Sequence, residues 1–425
     1  MEITQDVRES GNPCEVHGGI LGTHKIPTDH GLIAAEAAFV RLATGQRIRV
    51  AKYASIPPLA DGADDELTRL AVRPLGVRES LAVRFSDGAI IAGTSGQRVF
   101  TRERGWRCLG ELTRDDIVER AHRIVSRGAS VGRIPPRAHA IAETCASRGP
   151  LHLPRMWGPT LCHYLGWLVG DGCLTKHGAV AVYGSPDDQR FVMPMHRALL
   201  SRIGARPAKP VLQSNGTWQL RLMRRGFVGF LGELGVSQAR AASKVVPSAI
   251  CEAPSPAVAA FLRGLFDADG CVVNQPANQT RYVGLGSASQ QLLLDVQQLL
   301  ACCFGIRGRI YSNANANRNF EYTRKRDGQA VTYSAGGPMY DLRISGTGIR
   351  AFRREIGFML PAKQGRLDRI IEISRFYRKD SAVHMVRVED LGRRPVFAVS
   401  TESGSHCVMG GFIFPGQRSG ARFVG

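Results

Sequence analysis

Two segments of this chain, residues 164–172 and 262–270, repeat one pattern without a gap. Each is an apolar run of helical length that ends in Asp-Gly, and each carries two small residues four positions apart. Residues four apart lie on one face of a helix. Because side chains this small let two helix backbones approach closely, the pattern predicts two helices that pack against each other. The small residues are Gly166 with Gly170 and Gly264 with Ala268.

The ends of these two helices carry the candidate chemistry. If the helices run side by side in the same sense, Asp171 and Asp269 emerge together, where the carbonyl ends of both helix dipoles also point. Two carboxylates in such a place form a site for a hard cation. We expect Gly172 and Gly270 to take the left-handed conformation that ends a helix, which would leave the carboxylates open on one side.

With this repeated pattern the chain resembles the LAGLIDADG homing endonucleases of the dodecapeptide type found inside inteins. Residues 265–270, Leu-Phe-Asp-Ala-Asp-Gly, keep most letters of that motif, and residues 168–172 have the Leu-Val-Gly-Asp-Gly form common in inteins. The resemblance implies that Asp171 and Asp269 bind a divalent metal, Mg²⁺ or Mn²⁺. It also implies catalytic roles for Lys244 and Lys363, which match by position the lysines that order or activate water.

The parallel between the two segments extends over residues 161–255 and 256–378, which we interpret as two copies of one unit. In each copy the order is a helix followed by ββαββα. This order predicts an α+β fold, a pseudo-twofold saddle in a monomeric chain, with one curved sheet from each half turned toward double-stranded DNA. The matching segments are helices Gln189–Ile203 and Gln290–Phe304 and strands Trp218–Leu222 and Tyr340–Ile344.

Basic residues alternate with apolar ones in these strands, as Arg221 and Arg343 show. Alternation predicts one core face and one basic face, and Arg on a β-ribbon in the major groove reads guanine or contacts phosphate. A solvated basic surface is the alternative for any single arginine. The candidate DNA-binding residues are Arg221, Arg224, Arg225, Arg307, Arg309, Arg318, Arg324, Lys325 and Arg343.

The second unit is the longer one, because the interval from Asp269 to Lys363 exceeds that from Asp171 to Lys244. We expect the insertion at residues 313–326, which are rich in amides and basic side chains. Such a hairpin tip suits contacts with bases or phosphates, and a surface loop without a role is the alternative.

Residues 19–118 and 379–416 flank the duplicated part and consist of short apolar stretches separated by Gly and Asp, which predicts an all-β module. Residues 22–31, 93–101 and 395–414 make this module resemble the split protein-splicing (Hint) fold of inteins, interrupted by the endonuclease. Residues 1–18 are a lead-in and 417–425 a tail. The basic, proline-containing segment 119–160 is a linker or an added DNA-contacting arm.

The resemblance to inteins places the splicing positions on residues that lack the chemistry. The first nucleophile falls on Gly19, the histidine that polarises the scissile amide on Gln97, and the terminal His-Asn pair on Pro415 and Gly416. Only His406 matches a family histidine. Because glycine has no nucleophile and glutamine cannot take up a proton, we predict that splicing is lost.

Charge supports a nucleic-acid partner, since 56 basic against 36 acidic residues give a formal net charge of +20. A generally basic composition is the alternative. The ten cysteines have no zinc-knuckle or redox-pair spacing, so we expect small buried thiols in a reducing compartment. The polar start and the lack of a long apolar run predict a soluble, cytoplasmic protein, associated with the nucleoid in a bacterium.

The predicted function is that of a free-standing, site-specific double-strand DNA homing endonuclease that hydrolyses phosphodiester bonds with divalent metal. A catalytically inactive LAGLIDADG protein that binds or regulates DNA is the first alternative. A still-active intein and an RNA maturase are the others.

Overall fold

The computed structural model describes residues 18–52, 64–121, 132–145, 149–313, 318–323, 329–335, 337–376 and 382–416. Two units of helix and sheet lie between the two parts of a β-rich module, which confirms the predicted α+β class. Within these residues no helix combines the length and the apolar character needed to cross a bilayer.

The N-terminal part of the β-rich module contains short strands, one helix and one long strand. The elements are β1 (Ile20–Leu21), β2 (Lys25–Thr28), β3 (Gly31–Ala34), α1 (Ala35–Ala43), β4 (Arg49–Lys52), β5 (Asp64–Phe85), β6 (Ile90–Gly93), β7 (Arg98–Thr101) and β8 (Gly105–Cys108). The all-β prediction is wrong for α1. This segment is rich in Ala, the strongest helix former, and buries Ala35 and Ala38 completely.

The connector and the first unit follow. Their elements are α2 (Pro136–Thr144), α3 (Pro159–Asp171), β9 (Gly172–Leu174), β10 (Ala179–Tyr183), α4 (Met193–Gly204), β11 (Val211–Leu212), β12 (Trp218–Leu222), α5 (Arg225–Glu233) and α6 (Ser248–Cys251). The four strands form an antiparallel sheet in the order β11-β12-β10-β9. A turn of π-helix, Asp188–Val192, precedes α4.

The connector packs on the first unit. A Cβ atom added at Gly226 of α5 would lie 2.7 Å from the carbonyl oxygen of Ala142 in α2. Arg224 Nη2 donates to the carbonyl oxygen of Gly149 at 2.5 Å, and His152 N–H donates to that of Ile203 at 2.9 Å. Residues 132–145 and 149–158 therefore contact the first unit.

The second unit repeats the order of the first and adds a hairpin. Its elements are α7 (Ser255–Asp269), β13 (Gly270–Gln275), β14 (Thr280–Ser287), α8 (Gln290–Phe304), β15 (Arg309–Asn313), β16 (Arg318–Thr323), β17 (Ala330–Ala335), β18 (Met339–Ile344), α9 (Thr347–Glu355) and α10 (Pro361–Ile373). The sheet order is β13-β14-β18-β15, and β16 pairs with β17 where the insertion was predicted. Arg324 and Lys325 lie outside the described residues.

The chain then returns to the module through β19 (Met385–Thr401), β20 (Cys407–Met409) and β21 (Phe412–Phe414). The sheet of the module has the order β19-β1-β6-β5-β4, and β19 also pairs with β5 from Met385↔Phe85 to Thr401↔Leu70. The sheet of the module therefore forms only when the C-terminal strand β19 pairs with the N-terminal strands β1 and β5.

Two expectations about the cysteines are wrong. Cys145, Cys173 and Cys271 are exposed and not buried. Cys108 at the end of β8 is disulfide-bonded, although we expected ten reduced thiols. The spacing of cysteines in a sequence does not reveal a pairing that depends on the folded module. The other cysteines of the described part are free thiols.

Candidate active site at the paired helices

Helices α3 and α7 lie side by side and run in the same direction. A Cβ atom added at Gly166 would stand 2.0 Å from the carbonyl oxygen of Phe261, and one added at Gly264 would stand 2.1 Å from that of His163. Further along, a Cβ atom at Gly170 would lie 2.7 Å from the Cβ of Ala268. The backbones therefore touch at the small residues, and only glycine fits at the two closest points.

This contact brings the two candidate acids together. Asp171 is the last residue of α3 and Asp269 the last of α7. A Cβ atom at Gly170, the neighbour of Asp171, would lie only 3.1 Å from Oδ2 of Asp269. Two carboxylates therefore share one end of the helix pair.

Both carboxylates have a raised pKa. Desolvation is the main cause for Asp171, and the charge of Asp188 adds to it. Asp269 lies at an exposed position, yet the protein around its carboxylate excludes water, and together with the charge of Asp171 this raises its pKa to about 6. Negative charge at this end of the helices is therefore incompletely balanced.

The glycines that follow the acids are extended and not left-handed, so that prediction was wrong. Gly172 has φ −151° and Gly270 φ −85°, and each leads directly into the first strand of its unit. Glycine is required at both positions because a side chain would not fit. A Cβ atom would lie 2.4 Å from the carbonyl oxygen of Phe266 at Gly270, and 2.7 Å from Cδ1 of Leu168 at Gly172.

The two candidate lysines bind the carbonyl ends of the same helices. Lys244 Nζ donates to the carbonyl oxygens of Val169 at 2.5 Å and Gly170 at 2.7 Å. Lys363 Nζ donates to that of Asp267, the position equivalent to Val169, at 2.5 Å. Each ammonium group thus meets the negative end of one helix dipole.

The environment of these lysines combines burial with acidic neighbours. Desolvation lowers the pKa of Lys244, and the charges of Asp269 and Asp171 oppose that effect. Desolvation likewise lowers the pKa of Lys363, where Asp267 is the first of the opposing acids. Both ammonium groups therefore act within the same electrostatic neighbourhood as the paired carboxylates.

A buried network of polar side chains crosses the helix pair, and no motif of the sequence predicted it. Asp267 Oδ2 lies 3.0 Å from His163 Nε2, His163 Nδ1 lies 3.0 Å from His196 Nε2, and Tyr183 Oη lies 2.9 Å from His196 Nδ1. Asp267 also accepts the N–H of Met359 at 3.0 Å. In the sequence, only a histidine within the apolar α3 and an acid within α7 hint at this series of polar contacts.

Two of the candidate DNA-binding arginines, Arg221 and Arg343, lie on β12 and β18. Arg221 is exposed on β12, where its Nε and Nη2 donate to Oε1 of Gln219 at 2.9 and 2.6 Å. Arg343 on β18 donates to Asp341 at 2.6 Å, and its guanidinium lies 4.6 Å from the ring centre of Tyr311. Both guanidinium groups are therefore held in place by a neighbour on the same strand.

The other candidates are more scattered. Arg224 binds the connector, Arg225 is exposed at the start of α5, and Arg318 lies in β16. Arg307 is exposed just before β15, and Arg309 within β15 is half-buried. The structure thus places these basic residues on several elements and not on one continuous ribbon.

The residues that the resemblance to inteins places at splicing positions lie within the module. Gly19 N–H donates to Oγ1 of Thr94 at 3.0 Å, and Gln97 Nε2 donates to the carbonyl oxygen of Arg98 at 3.1 Å. His406 Nδ1 accepts the N–H of Gly416 at 2.9 Å, and Pro415 follows β21 directly.

The acids at the ends of two parallel helices in a duplicated unit have the arrangement that the resemblance to LAGLIDADG proteins predicts. Residues 256–357 match the family model described as LAGLIDADG-like domain, so the second unit is a LAGLIDADG-like domain, which confirms the recognised family.

Among characterised proteins, the chain is similar to parts of longer ones. It is 33% identical over 121 residues to the DNA polymerase II large subunit of Thermococcus kodakarensis, which covers 28% of this chain and 6% of that protein. It is 25% identical over 328 residues to RecA of Mycobacterium tuberculosis, 74% of this chain and 36% of that protein. The chain thus spans well under two thirds of the length of these relatives.

Two kinds of solved structure are also similar. The homing endonuclease I-DmoI in complex with DNA and Ca has a TM-score of 0.34 and 17% identity, and the match covers 50% of this chain and 97% of that chain. A DnaB intein from Synechocystis sp. PCC 6803 has a TM-score of 0.21 and 16% identity, and the match covers 24% of this chain and 69% of that chain.

Proposed function

We propose that this chain is a site-specific endonuclease that cleaves both strands of double-stranded DNA with the help of a divalent metal. The observation that carries the proposal is the placement of Asp171 and Asp269 at neighbouring ends of two parallel helices. The two acids occupy equivalent positions of the duplicated unit, and each has its own lysine. Two units related by a pseudo-twofold axis can thus each present one acid and one lysine to one DNA strand.

The donor set fits a hard cation. Carboxylate oxygens are ligands that Mg²⁺ prefers, and Mg²⁺ commonly combines one or two carboxylates with water and substrate phosphate oxygens. In the described part of the chain, these acids belong to no group of three or more His, Cys, Asp or Glu side chains. Phosphate and water oxygens would therefore complete the shell around Mg²⁺ or Mn²⁺.

A divalent cation held there would neutralise charge on the scissile phosphate and make a bound water acidic. Asp171 and Asp269 would hold the ion and orient that water. Lys244 and Lys363, fixed on the helix carbonyls, would add positive charge beside the phosphate. The net charge of +20 and arginines such as Arg221 support a backbone-dominated DNA contact.

Loss of splicing belongs to the same proposal. The position of the first nucleophile is Gly19, whose backbone bonds to Thr94, and Gln97 stands where the polarising histidine is expected. Neither residue offers a nucleophile or a proton acceptor of histidine type. His406 is bonded to Gly416, which has no side-chain amide to cyclise.

A DNA-binding protein without catalysis is the second candidate. It is favoured by the engagement of both lysines with main-chain carbonyls, which gives each a purely structural reason to be present.

A selection experiment distinguishes the candidates. The full chain is incubated with a plasmid library that carries fragments of the surrounding genomic locus, in Mg²⁺ or in EDTA, and linear products are sequenced. We expect one recurrent cut site in Mg²⁺ and none in EDTA. Binding of one fragment without cutting in Mg²⁺ or Mn²⁺ would favour the second candidate, and shortened protein on a denaturing gel would show residual splicing.

A further inference from the structure

The β-rich module and the two units share a buried ion pair. Lys25 of β2 extends its Nζ to Oδ1 of Asp295 in α8 at 2.7 Å, and its side chain is 18% exposed while that of Asp295 is 5% exposed. Lys25 Nζ also lies 3.4 Å from Sγ of Cys251 at the end of α6. An acid this deeply buried requires a partner, because an isolated buried charge is costly.

Asp295 uses its second oxygen for the segment that carries the candidate lysine. Oδ2 of Asp295 accepts the N–H of Val246 at 3.2 Å, and Val246 is two residues after Lys244. The backbone of Lys244 is fixed from the same helix, since Oγ of Ser289 donates to the Lys244 carbonyl oxygen at 2.6 Å. Ser289 is itself locked as the N-cap of α8, where it accepts the N–H of Leu292.

We propose that Lys25 is a positioning residue for Lys244, so that the splicing-like module has become part of the nuclease site. The path consists of three contacts: Lys25 to Asp295, Asp295 to Val246, and Lys244 to the end of α3. This inference rests on the proposed nuclease function. It gives a physical reason for the module to persist in a chain whose splicing positions are Gly19 and Gln97.

The path is one-sided. Lys363 lies within α10, and in the described part of the chain the hydrogen bonds of its Nζ go to carbonyl oxygens at the end of α7. Damage to Lys25 therefore acts on the half-site of α3 and leaves that of α7 intact. Since each half-site serves one DNA strand in the proposed function, unequal cutting of the two strands is the expected signature.

The test uses Lys25→Met in the full chain, which keeps the apolar stem and removes the charge. Under single turnover we expect cutting of one strand to slow about tenfold, so that nicked plasmid accumulates, while the DNA dissociation constant stays within about twofold of wild type. The matched control is Arg41→Met, which breaks another ion pair between the module and the units, Arg41 with Glu252 at 2.7 Å. This control should produce no nicked plasmid.

A second variant separates positioning from a general loss of folding. In Lys25→Met/Asp295→Asn the buried charge is gone, but the Asn oxygen still accepts the N–H of Val246. We expect this double variant to cut both strands evenly again. Lys25→Met/Asp295→Leu lacks the acceptor and should still accumulate nicked plasmid.

A measurement without DNA keeps the two proposals apart. Labelling of lysines by an acylating reagent is followed by peptide mass spectrometry, and we expect Lys25→Met to speed the labelling of Lys244 several-fold while Lys363 is unchanged. If wild type fails to cut DNA, the nuclease proposal falls and this labelling still tests the positioning of Lys244. Wild-type labelling of Lys244 and even strand cutting in a folded Lys25→Met variant would overturn the inference.

Discussion

Asp267 on α7 is bonded to His163 on α3 at 3.0 Å, inside an interface where Asp267 is only 1% exposed. The bond joins the two units, and Asp267 lies two residues before Asp269 on α7. This polar contact favours the observed register of the two helices, because another alignment would separate the buried Asp267 carboxylate from His163 and leave it only the backbone N–H groups of Met359 and Leu360.

Replacement of His163 by Phe should therefore destabilise the protein by about 3 kcal/mol, since it leaves Asp267 and His196 without their shared partner. Urea unfolding measures the change. Asp267→Asn in the same background removes the buried charge and should recover part of the loss. A His163→Phe variant as stable as wild type would show that the chain of polar contacts does not hold the helices.

The close backbone contact at Gly264 leads to a second prediction. Gly264→Ala places a methyl group 2.1 Å from the carbonyl oxygen of His163, so the helices must separate. We expect loss of cleavage and a fall in stability of about 3 kcal/mol. Gly232→Ala is the matched control, because it also lies in a helix, α5, where an added Cβ meets nothing within 4 Å. That variant should be as stable as wild type or slightly more stable.

The raised pKa of Asp269 predicts a pH effect on stability in EDTA. Its pKa is about 6 in the folded protein against 3.8 ordinarily, so the unfolded chain accepts the negative charge more readily. The folded state therefore loses stability as pH rises from about 4 to 6, and the loss persists above that range. Asp269→Asn should raise stability at pH 7.5 by about 1 kcal/mol, a value reduced for solvent screening at this exposed residue, and should have no effect near pH 3.5.

Thermal unfolding at the two pH values measures this difference. Asp368→Asn is the control. Asp368 lies on α10, the helix that carries Lys363, and forms an exposed ion pair with Arg353 of α9. A lower melting temperature for Asp269→Asn at pH 7.5 in EDTA would contradict the electrostatic account.

The half-buried His24 of the module predicts the opposite pH trend. His24 Nε2 accepts the N–H of Ala92 at 2.7 Å, and burial lowers its pKa to about 4 from 6.5. The unfolded chain thus binds a proton that the folded one does not, and stability falls as pH drops from 6.5 to 4. His24→Gln, which keeps an acceptor for Ala92, should reduce this loss by about 2 kcal/mol in urea titrations at pH 7 and pH 4.5.

Local signals made several elements predictable. Helix α8 has the predicted bounds, Gln290–Phe304, because Ser289 caps its start and Gly305 takes the left-handed conformation, φ 65°, that ends it. Strand β12 has the predicted bounds Trp218–Leu222 for a similar reason, since its alternation matches a half-buried sheet.

Contacts between distant segments could not be predicted from the sequence. Position 270 is glycine because a side chain there would clash with the backbone of Phe266, and not because the chain takes a left-handed turn. The bond from Lys25 to Asp295 joins residues of different modules, and no spacing or periodicity encodes it. The roles of Asp171, Asp269, Lys244 and Lys363 remain predictions, although the structure places the four together.

Cleavage by the two acid-to-amide variants tests the central claim most directly. Asp171→Asn, Asp269→Asn and the control Asp368→Asn are compared with wild type on the selected target in Mg²⁺, with DNA binding measured in parallel. We predict that both active-site variants bind the target with unchanged affinity and cut it at least about a hundredfold more slowly, while the control cuts normally. Wild-type cutting by either Asp171→Asn or Asp269→Asn would contradict the account.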